Sequence, residues 1–240
     1  MNMIETEHIV IRSIAVSEME NNVYLLTAKE TGSQVLIDAA DDAEAIAQLV
    51  AAGAADTEAE TSLRAIITTH RHWDHIRALP AVSARYPEAM TIAGADDAAA
   101  ITEAEGVEIA HTVDHLDVGD FGGFVLQAIC LRGHTPGSIA LLLSDGGRTI
   151  LFSGDSLFPG GPGKTWSKAD FTSLMDDLEE RVFGQLADDT VVLPGHGDST
   201  TVGQERPKLD EWRQRAWCAL SPVGRRRPRP PTRRRGDLRR

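Results

Sequence analysis

The segment Thr69-His70-Arg71-His72-Trp73-Asp74-His75 places four metal-capable side chains within six residues. Alternate positions such as His70 and His72 can face the same way and grip one cation, while Asp74 and His75 turn toward a second. Neutral imidazole and carboxylate suit Zn²⁺ best, and suit iron or manganese to a lesser degree. Three imidazoles and a carboxylate this crowded repel or desolvate one another at neutral pH unless something positive holds them together. The chain has eight His. Two more of them, His134 and His196, sit in Gly-flanked loops, Gly133-His134 and Gly195-His196-Gly197. A single such His is more often a surface or satisfied core residue, but the set of five reads as a metal centre. His8, His111 and His115 lack this context and are expected at the surface. Cys130 and Cys218 match no zinc spacing, so His and carboxylate must supply the ligands. Cys130 reads as a small core residue.

The elements that must carry these residues follow from hydrophobic spacing. Residues 23–38 read as a hairpin, with Val23, Leu25, Val35 and Ile37 on strand-like runs about a Thr31-Gly32-Ser33 turn. Residues 41–52 read as a helix with Ala43, Ile46, Ala47 and Val50 on one face. A strand over 65–68 then runs into the His cluster, followed by a helix over 76–86. Strands are predicted over 125–131, 139–143, 149–152 and 191–193, and Phe171, Leu174, Met175, Leu178 and Val182 recur at helical spacing behind the candidate cap Asp170. Four strands thus end in loops holding a His or Asp, the usual place for chemistry on a rigid scaffold. Strands at both ends of the order with helices between imply an α/β (α+β) architecture. The expected form is an αββα sandwich, two mixed β-sheets packed together and flanked by helices.

The 240 residues suffice for one sizeable domain, assigned to 1–217. The net charge of −12 conceals an asymmetry, because the residues from Cys218 to Arg240 hold nine Arg and one Asp and leave −20 on the rest. So acidic a body disfavours nucleic acid and anionic membrane as partners, and an anionic substrate would need a local basic group. The Arg/Pro-rich segment 218–240 lacks hydrophobic periodicity and reads as disordered. Residues 1–20 carry four Glu and no apolar stretch, and no run approaches the length that crosses a bilayer. The expectation is a soluble, cytoplasmic protein.

Taken in order, the H-x-H-x-D-H cluster, Gly133-His134-Thr135-Pro136-Gly137, Ser153-Gly154-Asp155 and Pro194-Gly195-His196-Gly197 resemble the metallo-β-lactamase superfamily over roughly residues 9–217. The resemblance implies the metallo-β-lactamase fold and two divalent metal ions. One ion would be held by His70, His72 and His134, a second by Asp74, His75 and His196, with Asp155 bridging them. Within the superfamily, His72-Trp73-Asp74-His75 and the run from Gly154 to Thr165 are most similar to the short bacterial glyoxalase II (hydroxyacylglutathione hydrolase) group. That likeness makes Lys164 the basic group for an anionic substrate. Pro162 stands where those enzymes usually have Cys, and residues 166–169 differ from their usual aromatic stretch.

The expected reaction is hydrolysis of a small-molecule thioester or related ester by a hydroxide bridging the ions. A thiolate leaving group with a pKa of about 8.5 departs without a strong general acid. The only Tyr residues, Tyr24 and Tyr86, fall outside the expected metal loops, so a thioester is favoured, with Asp74 available to move a proton. The alternatives are a lactonase or other carboxylic ester hydrolase, and a persulfide dioxygenase with one iron held by His70, His134 and Asp155. A nucleic-acid binder or nuclease is opposed by the body charge.

Overall fold

The structure is a computed structural model that describes residues 1–214. The Arg/Pro-rich segment assigned to 218–240, with Cys218, lies outside the described residues. Strands β1 (Asn2–Glu5), β2 (Ile9–Val16), β3 (Asn21–Ala28), β4 (Ser33–Ile37), β5 (Ser62–Thr68), β6 (Met90–Gly94) and β7 (His111–Val113) form one sheet in that spatial order. After them come β8 (Val118–Asp120), β9 (Val125–Cys130), β10 (Ile139–Asp145), β11 (Arg148–Gly154), the short hairpin β12 (Leu157–Phe158) and β13 (Gly161–Pro162), β14 (Val191–Pro194) and β15 (Thr200–Thr201). The second sheet has the order β15-β14-β11-β10-β9-β8. Both sheets are mixed, since β4 to β7 run parallel while β1 to β4 alternate, and β11 pairs parallel with β14 inside an otherwise antiparallel sheet.

Successive side chains on a strand point to opposite faces, and this period sorts three apolar layers. Tyr24, Leu26, Val35, Ile37, Ala65 and Ile67 of the first sheet meet Leu126, Ile139, Leu141, Ile150, Phe152 and Leu193 of the second in a central core. The intervening Leu25, Leu36 and Ile66 face outward, against Ile46, Leu49 and Val50 of α1 (Ala43–Ala52), Ile76 of α2 (Trp73–Ile76), Leu79 and Val82 of α3 (Leu79–Arg85) and Ile101 of α4 (Ala95–Glu105). On the far side Ile129, Ala140, Leu151 and Val192 pack against α5 (Lys168–Asp177), α6 (Val202–Glu205) and α7 (Leu209–Gln214), whose Trp212 is fully buried. The expected αββα sandwich is therefore present.

Several local expectations need correction. The helix expected over 76–86 is two pieces: α2 starts inside the His cluster, with His72 as its N-cap, so Asp74 and His75 lie on a helical turn and not in a loop. A separate α3 follows with Pro80 in its first turn, the position where the missing N–H of proline costs least. The cap of α5 is Ser167, whose hydroxyl accepts from the Asp170 amide; Asp170 lies inside the first turn. Cys130, at the end of β9, is half-buried and packs against the rim of the central core. His8 and His111 are exposed as expected, whereas His115 is half-buried in a cleft shared with Cys130 and Arg181.

Phe152 is fully buried between the sheets and meets the Tyr24 ring edge-on at 5.2 Å. Truncation to Ala would leave a cavity that the rigid sheets cannot close. Phe152→Ala is expected to cost about 3–5 kcal/mol in denaturant unfolding.

Candidate metal centre

The loops that leave β5, β9, β11 and β14 meet at one edge of the sandwich, and they are stitched together by backbone hydrogen bonds. Ile139 N donates to Thr69 O (2.9 Å), Gly195 N to Gly154 O (2.9 Å), and Asn22 N to Gly195 O (2.8 Å). This brings together all seven residues that the family resemblance names as ligands. His70, His72 and His134 form one group of donors, Asp74, His75 and His196 another, and His70, His75 and Asp155 a third between them, each with donor atoms within 4.8 Å. The facing pairs are close: His72 Nδ1 to His134 Nε2 is 2.8 Å, and His75 Nε2 to His196 Nε2 is 3.1 Å. Asp155 sits between the two groups, its Oδ1 3.4 Å from His75 Nε2 and its Oδ2 3.5 Å from His196 Nε2 and 3.6 Å from His134 Nε2.

For four of the five rings an outer hydrogen bond fixes which nitrogen donates away from the centre. His134 Nδ1 lies 2.7 Å from Lys164 O and His196 Nδ1 lies 2.8 Å from Met19 O; a carbonyl only accepts, so both Nδ1 atoms donate. His75 Nδ1 donates to the Asp38 carboxylate at 2.9 Å. Thr69 Oγ1 donates to the same Asp38 oxygen at 2.9 Å and so accepts from His70 Nδ1 at 3.0 Å. The Nε2 lone pairs of four imidazoles therefore converge, and that of His70 is buried without any hydrogen-bond partner among the described residues. Asp155 Oδ1 is likewise buried without a hydrogen bond. Converging lone pairs and an anionic carboxylate repel one another unless a cation sits among them, so this donor set fits divalent metal.

The titration of the groups follows the same division. Burial, and then the neighbouring His75, hold His70 far below the ordinary imidazole range. Burial and His134 push His72 down to about 4, and burial also lowers His134. These rings stay neutral and able to ligate at physiological pH. Burial opposes charge at His75 too, but Asp38 and Asp155 prevail and push it up to about 10. At His196, also against burial, Asp155 and Asp74 do the same, to about 10. The field there favours positive charge, whether proton or divalent ion. Burial would raise Asp155 and Asp74, yet His196 and His75 hold both below the usual carboxylate range, so both are anionic.

Several contributors escaped the sequence reading. Asp38, at the end of β4, adopts a left-handed backbone (φ 59) and is buried. Its Oδ1 accepts from the Thr69 amide (2.7 Å) while its Oδ2 orients His75, and through Thr69 also His70. An acid immediately after the apolar run Val35–Ile37 was the available signal. Asn21 is fully buried and donates to Asp74 Oδ2 and Asp74 O, both at 3.0 Å. Tyr24, expected away from the metal loops, underlies one of them: its hydroxyl donates to Pro194 O at 2.7 Å.

Lys164 lies beside this cluster. Its carbonyl holds His134, and its ammonium lies 4.1 Å from the centre of the Trp166 ring, which in turn stands edge-on to His72 at 6.0 Å. A cavity of about 470 Å³ opens there, lined by His72, His134 and Trp166 together with Arg71, Arg132 and Ser173.

Comparison with known proteins agrees with this architecture. Residues 17–196 match the metallo-beta-lactamase superfamily model, and the chain belongs to that superfamily of metallo-hydrolases. A hydroxyacylglutathione hydrolase of Thermosynechococcus vestitus is 31% identical over 202 residues, which are 80% of this chain and 72% of that one. The crystal structure of ETHE1 from Myxococcus xanthus is 27% identical with a TM-score of 0.70, covering 86% of each chain. That of TTHA1623 in a di-iron-bound form is also 27% identical, with a TM-score of 0.59 over 81% of this chain and 96% of that one. Among the described residues, no helix is long and apolar enough to cross a membrane.

Gly195 offers a test of the centre. A methyl group there would press on Asp155 Oδ1 and lie 2.8 Å from His75 Cε1. Gly195→Ala is expected to lose bound metal while keeping the native circular dichroism spectrum, measured by elemental analysis of the purified variant.

Proposed function

We propose that this chain is a binuclear metallohydrolase that cleaves a small thioester, as the hydroxyacylglutathione hydrolase likeness suggests, with zinc the first choice of metal and iron or manganese the alternatives. The observation that carries the reading is the pair of three-donor groups sharing Asp155 between them. His70, His72 and His134 would hold one ion and Asp74, His75 and His196 the other, within a hydrolase domain of residues 1–217. Two such ions would supply an acidified water, its pKa lowered to about 7, and would polarise a carbonyl.

The side chains of the protein have separate tasks. Asp74 is anionic, and its Oδ2 is oriented by Asn21 at 3.0 Å and by His196 at 3.3 Å, so it presents a fixed negative charge to the second donor group. Asp155, anionic and between the groups, balances positive charge on both sides. Trp166 lines the cavity beside His72 with the Lys164 ammonium over its ring, and the two would offer a flat apolar face and a nearby cation to an anionic thiol carrier. The Tyr24 hydroxyl is buried and committed to Pro194 O, and so is not free as a general acid. A thiolate with a pKa of about 8.5 leaves without one, and this favours a thioester over an ester or lactone.

The likeness to ETHE1 favours a second reading, a persulfide dioxygenase with one iron at His70, His134 and Asp155. The presence of His72, His75 and His196 in the same cluster argues for the pair. Elemental analysis of protein purified without added metal decides between them. Close to two ions per chain, with hydrolysis of a thioester panel, is the expected result; one iron per chain with oxygen uptake on persulfides would overturn the hydrolase. Lys164→Ala is expected to raise KM for an anionic thioester by about tenfold with little change in kcat, the loss of one charge-assisted contact.

A further inference from the structure

Asp97, in the first turn of α4, is fully buried, and no task assigned so far uses it. A carboxylate is tolerated in such a place only when its oxygens are fully engaged. Its Oδ2 accepts from the Arg71 amide at 3.0 Å and from the Thr135 hydroxyl, and its Oδ1 accepts from the Gly137 amide at 3.0 Å. The Arg71 side chain adds its Nε at 3.5 Å from Oδ1. Arg71 is the residue between His70 and His72, and Thr135 is the residue after His134. One carboxylate thus ties together the two chain segments that carry the three donors of a single group, His70, His72 and His134. None of its hydrogen-bond partners belongs to Asp74, His75 or His196.

The clamp has little slack. A methyl group on Gly137 would lie 2.8 Å from Asp97 Cβ and closer still to the Asp97 amide, so glycine is what lets the two backbones approach. Thr135 is held in turn by Ser138, whose hydroxyl lies 2.6 Å from the Thr135 hydroxyl and accepts from the Thr135 amide at 3.1 Å. Asn in place of Asp97 would keep one acceptor oxygen and point an NH₂ group at donors, turning two attractions into repulsions. Anchoring α4 alone requires no such focus of donors from two ligand segments.

We propose that Asp97 is a positioning residue that sets the spacing of His70, His72 and His134, and that it acts on this metal site and not on the one formed by Asp74, His75 and His196. The proposal rests on the metal-pair reading above. Outer partners of metal ligands typically change affinity by about 10–100-fold when replaced.

The test compares Asp97→Asn in two backgrounds. His196→Ala protein retains the site of His70, His72 and His134, and His72→Ala protein retains the other. Each is stripped of metal and titrated with Zn²⁺ against a chromogenic chelator, with the thermal midpoint measured alongside. Asp97→Asn is expected to weaken the ion about 10–100-fold in the His196→Ala background and less than about threefold in the His72→Ala background. Thr135→Val should weaken the same ion by less, and Thr135→Ser should restore it. Equal weakening in both backgrounds, in step with a fall in the thermal midpoint, would make Asp97 a purely structural residue and overturn the proposal. No weakening in the His196→Ala background would also overturn it. If the unmodified protein bound fewer than two ions, the metal-pair reading itself would fall, and this role with it.

Discussion

The structure is organised around one electrostatic conflict: imidazole lone pairs and carboxylate oxygens are brought so close together that they can coexist only around positive charge. His72 Nδ1 and His134 Nε2 are 2.8 Å apart, and His75 Nε2 and His196 Nε2 3.1 Å. A pocket of that kind does not form by local preference. His75, His70, His134 and His196 are held in place from behind, by Asp38, by Thr69, and by the carbonyls of Lys164 and Met19 respectively, and these partners come from different parts of the chain. The repulsion at the front is opposed by hydrogen bonds at the back, which point the Nδ1 protons of these four rings outward and turn Nε2 toward the centre.

The sandwich makes such bracing possible. Its two sheets bury a continuous apolar layer between them and another against the helices on each side, so the strand ends have little freedom to shift. The donor side chains carried beyond the ends of β5, β9, β11 and β14 inherit that rigidity. The bond from Ile139 N to Thr69 O joins the sheets at the point where the first ligand loop begins. Glycine at 195 permits the last loop to pass against Asp155 and His75, where any side chain would intrude.

The clustered donor residues were legible because their signal is local: H-x-H-x-D-H concentrates four of them, and glycine marks the loops that carry His134 and His196. The central strands and the helices with strong apolar periodicity were legible for the same reason. The strand Ile9–Val16 was not, because Arg12 and Ser13 interrupt its alternation, and Arg12 is accommodated by a distant pairing with Asp56 at 2.6 Å. Helix α4 escaped because it is acidic and alanine-rich with Ile101 as its one large apolar residue. Asp38 and Asn21 escaped because nothing in a carboxylate or amide at a strand end or start declares its partner; that depends on which loops the fold later brings alongside. The break between α2 and α3 follows from Pro80, a signal that was present but outweighed by the apolar run around it.

The outer partners also determine how far the two donor groups can behave independently. Asp38 reaches both: it orients His75 directly and His70 through the Thr69 hydroxyl, so a shift of this carboxylate moves one ring in each group. Asp155 likewise faces both, through His134 on one side and His75 and His196 on the other. By contrast, Asn21 touches Asp74 and, at 3.4 Å, His196, while the carbonyl of Lys164 touches only His134. The centre therefore combines shared braces, which keep the two groups at a fixed separation, with private ones, which adjust each group by itself. A reaction needing a common water between two ions requires the first kind, and unequal affinity for the two ions requires the second. The fold supplies both because its ligand loops are tied to one another as well as to the sheets that carry them.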